Sequence, residues 1–526
     1  MRVRAGSLEE LQRDGRLVVK AGHQPVCVFW DGGVGNGDGT AYALDDRCPH
    51  MGFPLHRGTV EEGLLTCHWH HARFDLATGG TLDPFADDVR PFPVEVDGDD
   101  VYVVVESPDG QVEHLQRRLS EGLEQGLSLV MAKAVMGLFD AGVPPAQIVR
   151  AGVEFGTANR RDGWGSGLTV LTAMANLLPS LDPEDRPLAL VHGLAFVARD
   201  TRNRPPRFPL TSLGRGDIPG ERLTSWYRRF IETRSGDAAE RVLVTAIESG
   251  QPAATVARMM LAAATDHVFL DGGHTLDFTN KAFELLERLG WEAAADVLPT
   301  LVDQTAAASR SEEGGRWRHP HDLAALVERT NQRLPDLLAE GASRTGDFSD
   351  PAGVSALGWS LLEDDPEAVV AALCDAIVAG ATPEQLGRAL ALAAGLRIAR
   401  FHVQNDFGDW DVVHHGFTGA NALHQALRRH PAPELVRGVV HGALRVYLDR
   451  FLNVPAARPP QAPPPGEGSP DLAGLQACWD EQGHVDRAGA IAYGWIRSGG
   501  DPAALISALG HGLLAEDAQF HWFQTV

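Results

Sequence analysis

The stretch CPHMGFPLHRGTVEEGLLTCHWH, residues 48–70, decides the fold of the N-terminal part of the chain. It opens with a Cys-x-His motif and closes with a Cys-x-x-His motif, and sixteen residues separate the two. Thiolates and imidazoles are side chains that bind zinc and iron in proteins. The spacing therefore predicts two short loops that hold one metal centre between them. Its candidate ligands are Cys48, His50, Cys67 and His70.

The residues around this stretch predict a small all-β domain. Between residues 17 and 105, short runs such as PVCVFW and VYVVV are separated by turn signals such as VDGDD. After about Ser107 the composition changes to Ala- and Leu-rich stretches with helical periodicity. We therefore predict a β domain over residues 1–108, followed by a large all-α region.

The two motifs resemble those of the Rieske domain. The resemblance extends to Gly52, Leu55 and Gly58 after the first motif and to Phe74-Asp75-x-x-Thr78-Gly79 after the second. In Rieske domains two thiolates hold one iron of a [2Fe-2S] cluster and two imidazoles hold the other. The resemblance thus implies a Rieske fold with the four candidate residues as cluster ligands. A Cys2His2 zinc site is the alternative that the same residue types leave open.

Four positions make the chain similar to the ferredoxin and oxygenase subtype of this family. Phe53 and Trp69 stand where respiratory-type Rieske domains carry disulfide cysteines, and Ala72 and Phe74 stand where those domains carry hydroxyl donors to the cluster. Fewer hydrogen bonds leave the charge of the reduced cluster less stabilised. The resemblance therefore implies a reduction potential toward the low end of the Rieske range, roughly −150 mV. The neighbouring His68 and His71 are expected to be exposed loop residues.

Composition argues against some classes of binding partner. The 526-residue chain carries a formal net charge of −24, which opposes binding to nucleic acids and anionic membranes. Five cysteines fit a reducing compartment, and the longest apolar run is broken by Lys133 and Asp140. We expect a cytoplasmic protein that binds small molecules or other proteins.

The all-α region repeats one helix-hairpin pattern, in which two apolar helices flank a Gly-centred turn and the second begins at Pro or Thr. The four copies begin at Ala134, Val244, Cys374 and Ile491. Independent generic hairpins are the alternative to duplication. We predict an α domain over residues 109–454, a Pro-rich linker over 455–470, and a C-terminal helical segment over 471–526 that packs on the α domain.

The whole architecture resembles a group of bacterial Rieske proteins with a long helical C-terminal region, which implies a fusion but no particular activity. The hairpins are also similar in shape to the all-α unit of carboxymuconolactone decarboxylases and alkylhydroperoxidase D. That family's redox Cys-x-x-Cys is lacking here, so no chemistry is implied.

Ring-hydroxylating oxygenases pass Rieske electrons to an iron held by two histidines and a carboxylate. Asp411 and His414 resemble the start of their motif, but Gly419 stands where the second histidine belongs. The helical region therefore does not resemble that catalytic domain. Histidine and acidic residues nevertheless concentrate in two stretches, residues 267–274 and 401–415.

These two stretches correspond under the repeat. Sliding Asn280 onto Asn421 places His274 on His415, and Gly165-Ser166 fill the positions in the first copy. Such ligands suit iron, manganese or zinc, and iron is expected. Helix capping and core hydrogen bonding are the alternative roles. The candidates for this second site are His402, Asp409, Asp411, His414, His415, His267 and His274.

Other residues of the helical region bear on this site. His521 matches His402 in the repeat, so the C-terminal tail is expected to belong to the fold. His192 and His441 share a Val-His-Gly motif and are expected to be buried and bonded to backbone carbonyls. Aromatic residues beside the same loops could wall a pocket or belong to the core; they are Trp164, Trp410, Trp522, Phe401 and Phe520.

We expect an oxidoreductase in which the cluster passes single electrons to a non-haem metal that activates dioxygen on a small organic substrate. No Gly-x-Gly-x-x-Gly follows a strand, so the electrons are expected from an external reductase or ferredoxin. Two centres too far apart within one chain would require a homo-oligomer. The alternatives are an electron-transfer or redox-sensing protein with a partner-binding helical scaffold and, last, a zinc hydrolase or isomerase.

Overall fold

The computed structural model describes residues 2–21, 24–32, 39–105, 110–214, 218–344, 346–452, 457, 471–481, 483–516 and 518–526. The chain divides into two compact units, Met1–Val143 and Pro144–Val526. The first is mainly β and the second is helical, so the prediction of a small β domain followed by a large all-α region is confirmed. The predicted linker over residues 455–470 lies outside the described residues, except for Ala457.

The first unit contains three antiparallel sheets, with strand orders β1-β10-β9, β2-β3-β4-β8 and β5-β6-β7. Its strands are β1 (Arg2–Ser7), β2 (Arg16–Ala21), β3 (Gln24–Asp31), β4 (Thr40–Asp45), β5 (Thr59–Glu61), β6 (Leu64–Thr66), β7 (Arg73–Asp75), β8 (Pro91–Phe92), β9 (Val94–Asp97) and β10 (Asp100–Val104), and helix α1 (Leu8–Asp14) follows β1. The connections β4–β5 and β6–β7 carry the two Cys/His motifs. One core cluster includes both motif cysteines together with Leu55, Leu65 and Phe74.

The first unit extends past the predicted boundary at residue 108. Helices α2 (Gln111–Gln125) and α3 (Ser128–Asp140) belong to it. Arg118, only 6% exposed, forms an ion pair with Asp87 at 2.8 Å and donates to the carbonyl of Ala86 at 2.6 Å. The change of composition near 108 marks the end of the sheets, whereas these long-range contacts bind the next two helices to the β domain.

The second unit consists of helices joined by short connections. They are α4 (Pro145–Ala158), α5 (Ser166–Leu177), α6 (Arg186–Thr201), α7 (Gly220–Glu232), α8 (Gly236–Glu248), α9 (Ala253–Asp266), α10 (His274–Leu289), α11 (Ala294–Val297), α12 (Val302–Ala307), α13 (Leu323–Ala342), α14 (Ala352–Ser360), α15 (Pro366–Val378), α16 (Pro383–Ala399), α17 (Phe407–Arg429), α18 (Val436–Asp449), α19 (Ala473–Trp479), α20 (Val485–Arg497), α21 (Pro502–Ala515) and α22 (Phe520–Thr525). Among the described helices, none is long and apolar enough to cross a bilayer.

Each of the four repeated segments forms two helices around a turn: α3–α4, α8–α9, α15–α16 and α20–α21. In every turn the glycine two residues past the first helix has a positive φ, between 75° and 93°. A left-handed residue there ends a helix without the steric penalty that a Cβ would bring. These glycines are Gly142, Gly250, Gly380 and Gly499.

The C-terminal segment packs against the earlier helices of the second unit. Phe523 on α22 is 1% exposed and lies against Phe196, with 5.2 Å between the ring centroids. His192 on α6 is hydrogen bonded to the carbonyl of Leu514 at 3.2 Å, the kind of partner expected for it. The C-terminal segment therefore packs against α5 and α6.

Candidate metal centres

The two Cys/His loops of the first unit have the same backbone hydrogen bonds. The N–H of Cys48 donates to the carbonyl of Phe53, and the N–H of Gly52 donates back to the carbonyl of Cys48. In the second loop Cys67 and His71 make the corresponding bonds, with Ala72 as the acceptor of the first. Gly52 and His71 occupy equivalent positions with φ of 80° and 61°. His71 thus adopts a left-handed conformation that usually favours glycine.

The loops bring the four donor side chains together. Cys48 and Cys67 are buried, at 3% and 1% exposure, and the rings of His50 and His70 lie 4.7 Å apart between centroids. Burial raises the pKa of Cys48 to about 11, helped by the neighbouring Cys67, so a metal ion that binds this thiol displaces its proton. The buried Nδ1 of His50 has no hydrogen-bond partner in the described part of the chain. Two thiols and two free imidazoles are therefore available to one centre.

Two further side chains fix the first loop. Asp46, 5% exposed, accepts from the backbone N–H and from Nδ1 of His56, each at 2.7 Å. The ammonium group of Lys133 on α3 donates hydrogen bonds to the carbonyls of Pro49 and His50. Since both carbonyls belong to the motif loop, Lys133 brings a positive charge next to a candidate ligand. The pKa of His50 is lowered mainly by burial, then by the neighbouring His70, and third by Lys133.

The imidazoles of the centre reach the surface. His70 is exposed, and beside it Trp69 and Met51 are 52% and 53% exposed. His68 and His71 are exposed as well, and His68 is hydrogen bonded to Thr59. Ala72 and Phe74, by contrast, are fully buried. These are the two positions at which respiratory-type Rieske domains carry hydroxyl donors to the cluster.

A second group of potential metal ligands lies in the helical unit. His274, His415 and His521 each offer a ring nitrogen, and these atoms all lie within 4.8 Å of one another. The ring of His415 is 4.4 Å from that of His274 and 4.3 Å from that of His521, between centroids. Nε2 of His415 is 2.8 Å from Nε2 of His521. No acid belongs to this group, but Asp411 Oδ1 lies 3.9 Å from His521 Nε2.

Three separate helices supply these histidines, and buried polar contacts hold them in place. His274 is the first residue of α10, His415 lies within α17, and His521 is the second residue of α22. Gln524 on α22 donates to the buried carboxyl of Asp277 on α10. Thr525 on α22 is hydrogen bonded to Nδ1 of His414 on α17 at 3.0 Å. The contacts of α22 therefore join all three helices at the cluster.

Two rings of this cluster, those of His415 and His521, are neutral at ordinary pH. Burial, reinforced by the positive charges that neighbouring histidines would carry, lowers the pKa of His415 to about 3 and that of His521 to about 4. Burial also raises the pKa of Asp277. Nδ1 of His521 is buried and has no hydrogen-bond partner among the described residues. A neutral imidazole with an unshared ring nitrogen, as Nδ1 of His521 provides, is the form that binds metal ions. Nε2 of His415 and Nε2 of His521 are hydrogen bonded to each other.

The backbone that leads into His274 is strained. Phe269, Asp271, Gly272 and Gly273 all have positive φ, between 45° and 106°. Positive φ is an outlier for a bulky residue such as phenylalanine, and such strain collects at functional sites.

The structure brings together only part of the sequence-based candidate set. His274 and His415 lie in the cluster, and Asp411 and His414 border it. His267 instead pairs with Glu312 at 2.8 Å.

Two more candidates, Asp409 and His402, lie elsewhere: Asp409 is in the first turn of α17, and His402 accepts from the N–H of Gln404 through Nδ1. His521 was absent from the candidate set, although its match to His402 in the repeat was the available signal.

The aromatic residues have several roles. Trp410 and Trp522 line a cavity beside the cluster, whereas Trp164 is fully buried and donates its indole N–H to Thr169. Phe520 lies 5.9 Å from His274 between ring centroids, and Phe401 is 3% exposed.

Comparison with known proteins concerns mainly the first unit. The family model "Rieske [2Fe-2S] domain" matches residues 1–93. Human apoptosis-inducing factor 3 is 31% identical over 157 residues, which are 28% of this chain and 23% of that protein. The anthranilate 1,2-dioxygenase ferredoxin subunit of Burkholderia cepacia is 29% identical over 109 residues, which are 20% of this chain and 85% of the subunit.

Among solved structures, the complex of reduced oxygenase and oxidized ferredoxin in carbazole 1,9a-dioxygenase contains a similar chain. Its identity is 26%, the alignment covers 20% of this chain and 96% of that chain, and the TM-score is 0.18. The present chain spans about a quarter of the length of the human and mouse apoptosis-inducing factors that it matches.

Proposed function

We propose that this chain is an oxidoreductase that passes single electrons to a metal ion in its helical unit. The proposal starts from the Rieske [2Fe-2S] domain at the N-terminus. The metal ion is held by His274, His415 and His521 and is iron. The reaction is the dioxygen-dependent oxidation of a small organic molecule, and the electrons come from a separate reductase or ferredoxin.

The residues of the first unit fit a [2Fe-2S] cluster. A Rieske cluster needs two thiolates and two imidazoles as donors. The first unit supplies two buried thiols and the neighbouring rings of His50 and His70, and Nδ1 of His50 has no hydrogen-bond partner among the described residues. Cys48, Cys67, His50 and His70 are the proposed ligands. When bound, the cluster accepts and releases one electron at a time. The exposed ring of His70, with Trp69 and Met51 beside it, offers an apolar surface for an electron-transfer partner.

The three-histidine cluster of the helical unit is the single observation that carries the acceptor site. Its three ring nitrogens meet from three helices, burial keeps His415 and His521 neutral, and two of the histidines correspond under the repeat. Imidazoles suit iron, copper and zinc, and three protein ligands leave positions open for dioxygen or substrate. A non-haem iron ion in such a site supplies dioxygen activation. Asp411 is placed to hold a proton or orient the ring of His521.

Metal analysis tests this function. Protein with an intact cluster should contain a third iron per chain by mass spectrometry. The double variant His415→Ala, His521→Ala should lose that metal and keep two irons and the visible spectrum of the cluster. His424→Ala is the matched control, because His424 is a partly buried histidine of the same helix outside the cluster, and it should keep all three irons.

Other results would contradict the proposal in distinct ways. Two irons and no other metal in the parent protein would refute the acceptor site and favour an electron-transfer or sensing role. Stoichiometric zinc in the helical unit would refute dioxygen chemistry there. A third iron that persists in the double variant would place the metal outside the three-histidine cluster.

A further inference from the structure

A concave surface of the helical unit collects exposed apolar side chains. Soluble proteins seldom expose large contiguous apolar patches unless those patches bind something. Six large apolar residues with exposures between 37% and 64% line one cavity here; they are Val403, Phe407, Val485, Leu509, Trp522 and Val526.

The cavity has the size of a ligand pocket. Its volume is about 780 Å³, and sites for drug-sized molecules measure about 300–1,000 Å³. Its walls include residues from α17, α19, α20, α21 and α22. Trp410, Trp479 and Trp522 give it three indole faces on which a flat ring could stack.

Acidic side chains dominate the charge of the wall. Asp411, Glu481 and Glu516 contribute carboxyl groups, and none of the described lining residues is lysine or arginine. The basic side chains of the wall are His414 and His484, and Nε2 of His484 lies 3.4 Å from the carboxyl of Glu481. An anionic ligand would meet three carboxyl groups without a lysine or arginine to compensate them in a partly desolvated space. A cation would meet three acidic groups and aromatic faces that both attract it. A neutral molecule would bind through the apolar wall alone.

The cavity adjoins the three-histidine cluster. Asp411 lines the cavity, and its Oδ1 lies 3.9 Å from Nε2 of His521. Trp522 lines the cavity as well and follows His521 directly in the chain. His414, which lines it too, directly precedes His415. A molecule in the cavity therefore lies next to the residues that would hold the metal.

We propose that this cavity binds an aromatic molecule that is uncharged or positively charged, and that it discriminates against carboxylates. Its role as the substrate pocket rests on the proposed function, whereas its selectivity rests only on the wall. This distinguishes it from a site for aromatic acids, which would require a basic residue for the carboxylate.

Calorimetric titration with three compounds of one ring system tests the selectivity: 1-naphthylmethylamine, 1-naphthylmethanol and 1-naphthoate. The amine and the alcohol should bind with one site per chain, and the carboxylate at least about tenfold more weakly. The double variant Glu481→Gln, Glu516→Gln, at two exposed positions, should reduce the preference for the amine over the carboxylate several-fold. The matched control Glu248→Gln, Glu363→Gln, at exposed positions outside the cavity, should leave it unchanged.

A second variant locates the binding. Ala488→Trp fills the cavity from α20 and should abolish binding of the amine and the alcohol, with unchanged helix content by circular dichroism. Equal or tighter binding of the carboxylate would overturn the proposal, as would binding of none of the three compounds. Metal content is measured on the same preparations. A third iron without binding refutes the pocket alone, and binding without a third iron refutes the proposed function alone.

Discussion

Replacing His441 with leucine should flatten the dependence of the helical unit's stability on pH. His441 on α18 is 3% exposed, and its Nε2 has no hydrogen-bond partner among the described residues. Burial, followed by the nearby Arg437, lowers its pKa from 6.5 to about 3. The folded protein thus keeps this ring neutral, whereas the unfolded chain protonates it below pH 6.5.

The sign and size of the effect follow from proton linkage. Below pH 6.5 the unfolded state binds one more proton than the folded state at this residue, so the stability decreases as the pH falls toward 3. Each pH unit within that window costs about 1.4 kcal/mol. Between about pH 7.5 and about pH 5.0, His441 alone should therefore lower the free energy of unfolding by about 2 kcal/mol.

Urea unfolding followed by circular dichroism, at the two pH values, measures this difference. His441→Leu should lose about 2 kcal/mol less than the parent on acidification, whatever its absolute stability. All other titratable groups are common to both proteins, so their contributions cancel. The matched substitution His321→Leu, at an exposed position, should keep the pH dependence of the parent. Identical pH dependence in His441→Leu and the parent would refute the reasoning from burial.

Three further changes test the two centres and the packing around them. Lys133→Met should lower the midpoint potential of the cluster in a redox titration by tens of millivolts. A nearby unit charge contributes roughly 1 kcal/mol to the stability of the reduced cluster, and 2.3 kcal/mol corresponds to about 100 mV. An unchanged potential would contradict a role for the contact of Lys133 with His50. Arg118→Ala should destabilise the first unit by about 3 kcal/mol in urea, since it leaves the carboxyl of Asp87 without its buried cation. Asp411→Asn should weaken metal binding in the helical unit by about 10–100-fold in a competition assay with a chelator.

Local sequence signals predicted much of the fold. The β runs, the turn glycines and the prolines at helix starts act within a few residues of where they stand, so several strands and the helices of the four repeated segments could be placed from the sequence. Strand β1 (Arg2–Ser7) and the pairing of the strands into three sheets were not predicted. The extent of the first unit beyond the predicted boundary at residue 108 could not be predicted in this way. The contact between Arg118 and Asp87 joins residues far apart in the sequence, and no local pattern shows that α2 and α3 pack with the β domain.

The three-histidine cluster was predictable only in part. The repeated pattern identified His274 and His415 as a pair, because helical segments of similar pattern place matching residues in matching positions. It gave no reason to prefer His521 over His402, since both match the same position of the pattern. The difference is tertiary: Gln524 and Thr525 attach α22 to α10 and α17, and this carries His521 to the cluster.

The described helices contain one group of three close histidines, and the first repeated segment adds no imidazole to it. Ser166 begins α5 as His274 begins α10, yet the preceding Gly165 has no room for a side chain, because a Cβ there would collide with Asp200. Asp200 accepts from the N–H of Gly167 and pairs with Arg160 at 3.3 Å. An ion pair thus fills the space beside Ser166, the residue that corresponds to His274 and His415 in the later segments. The three-histidine group therefore depends on α10, α17 and α22, and the start of α5 contributes no ring nitrogen to it.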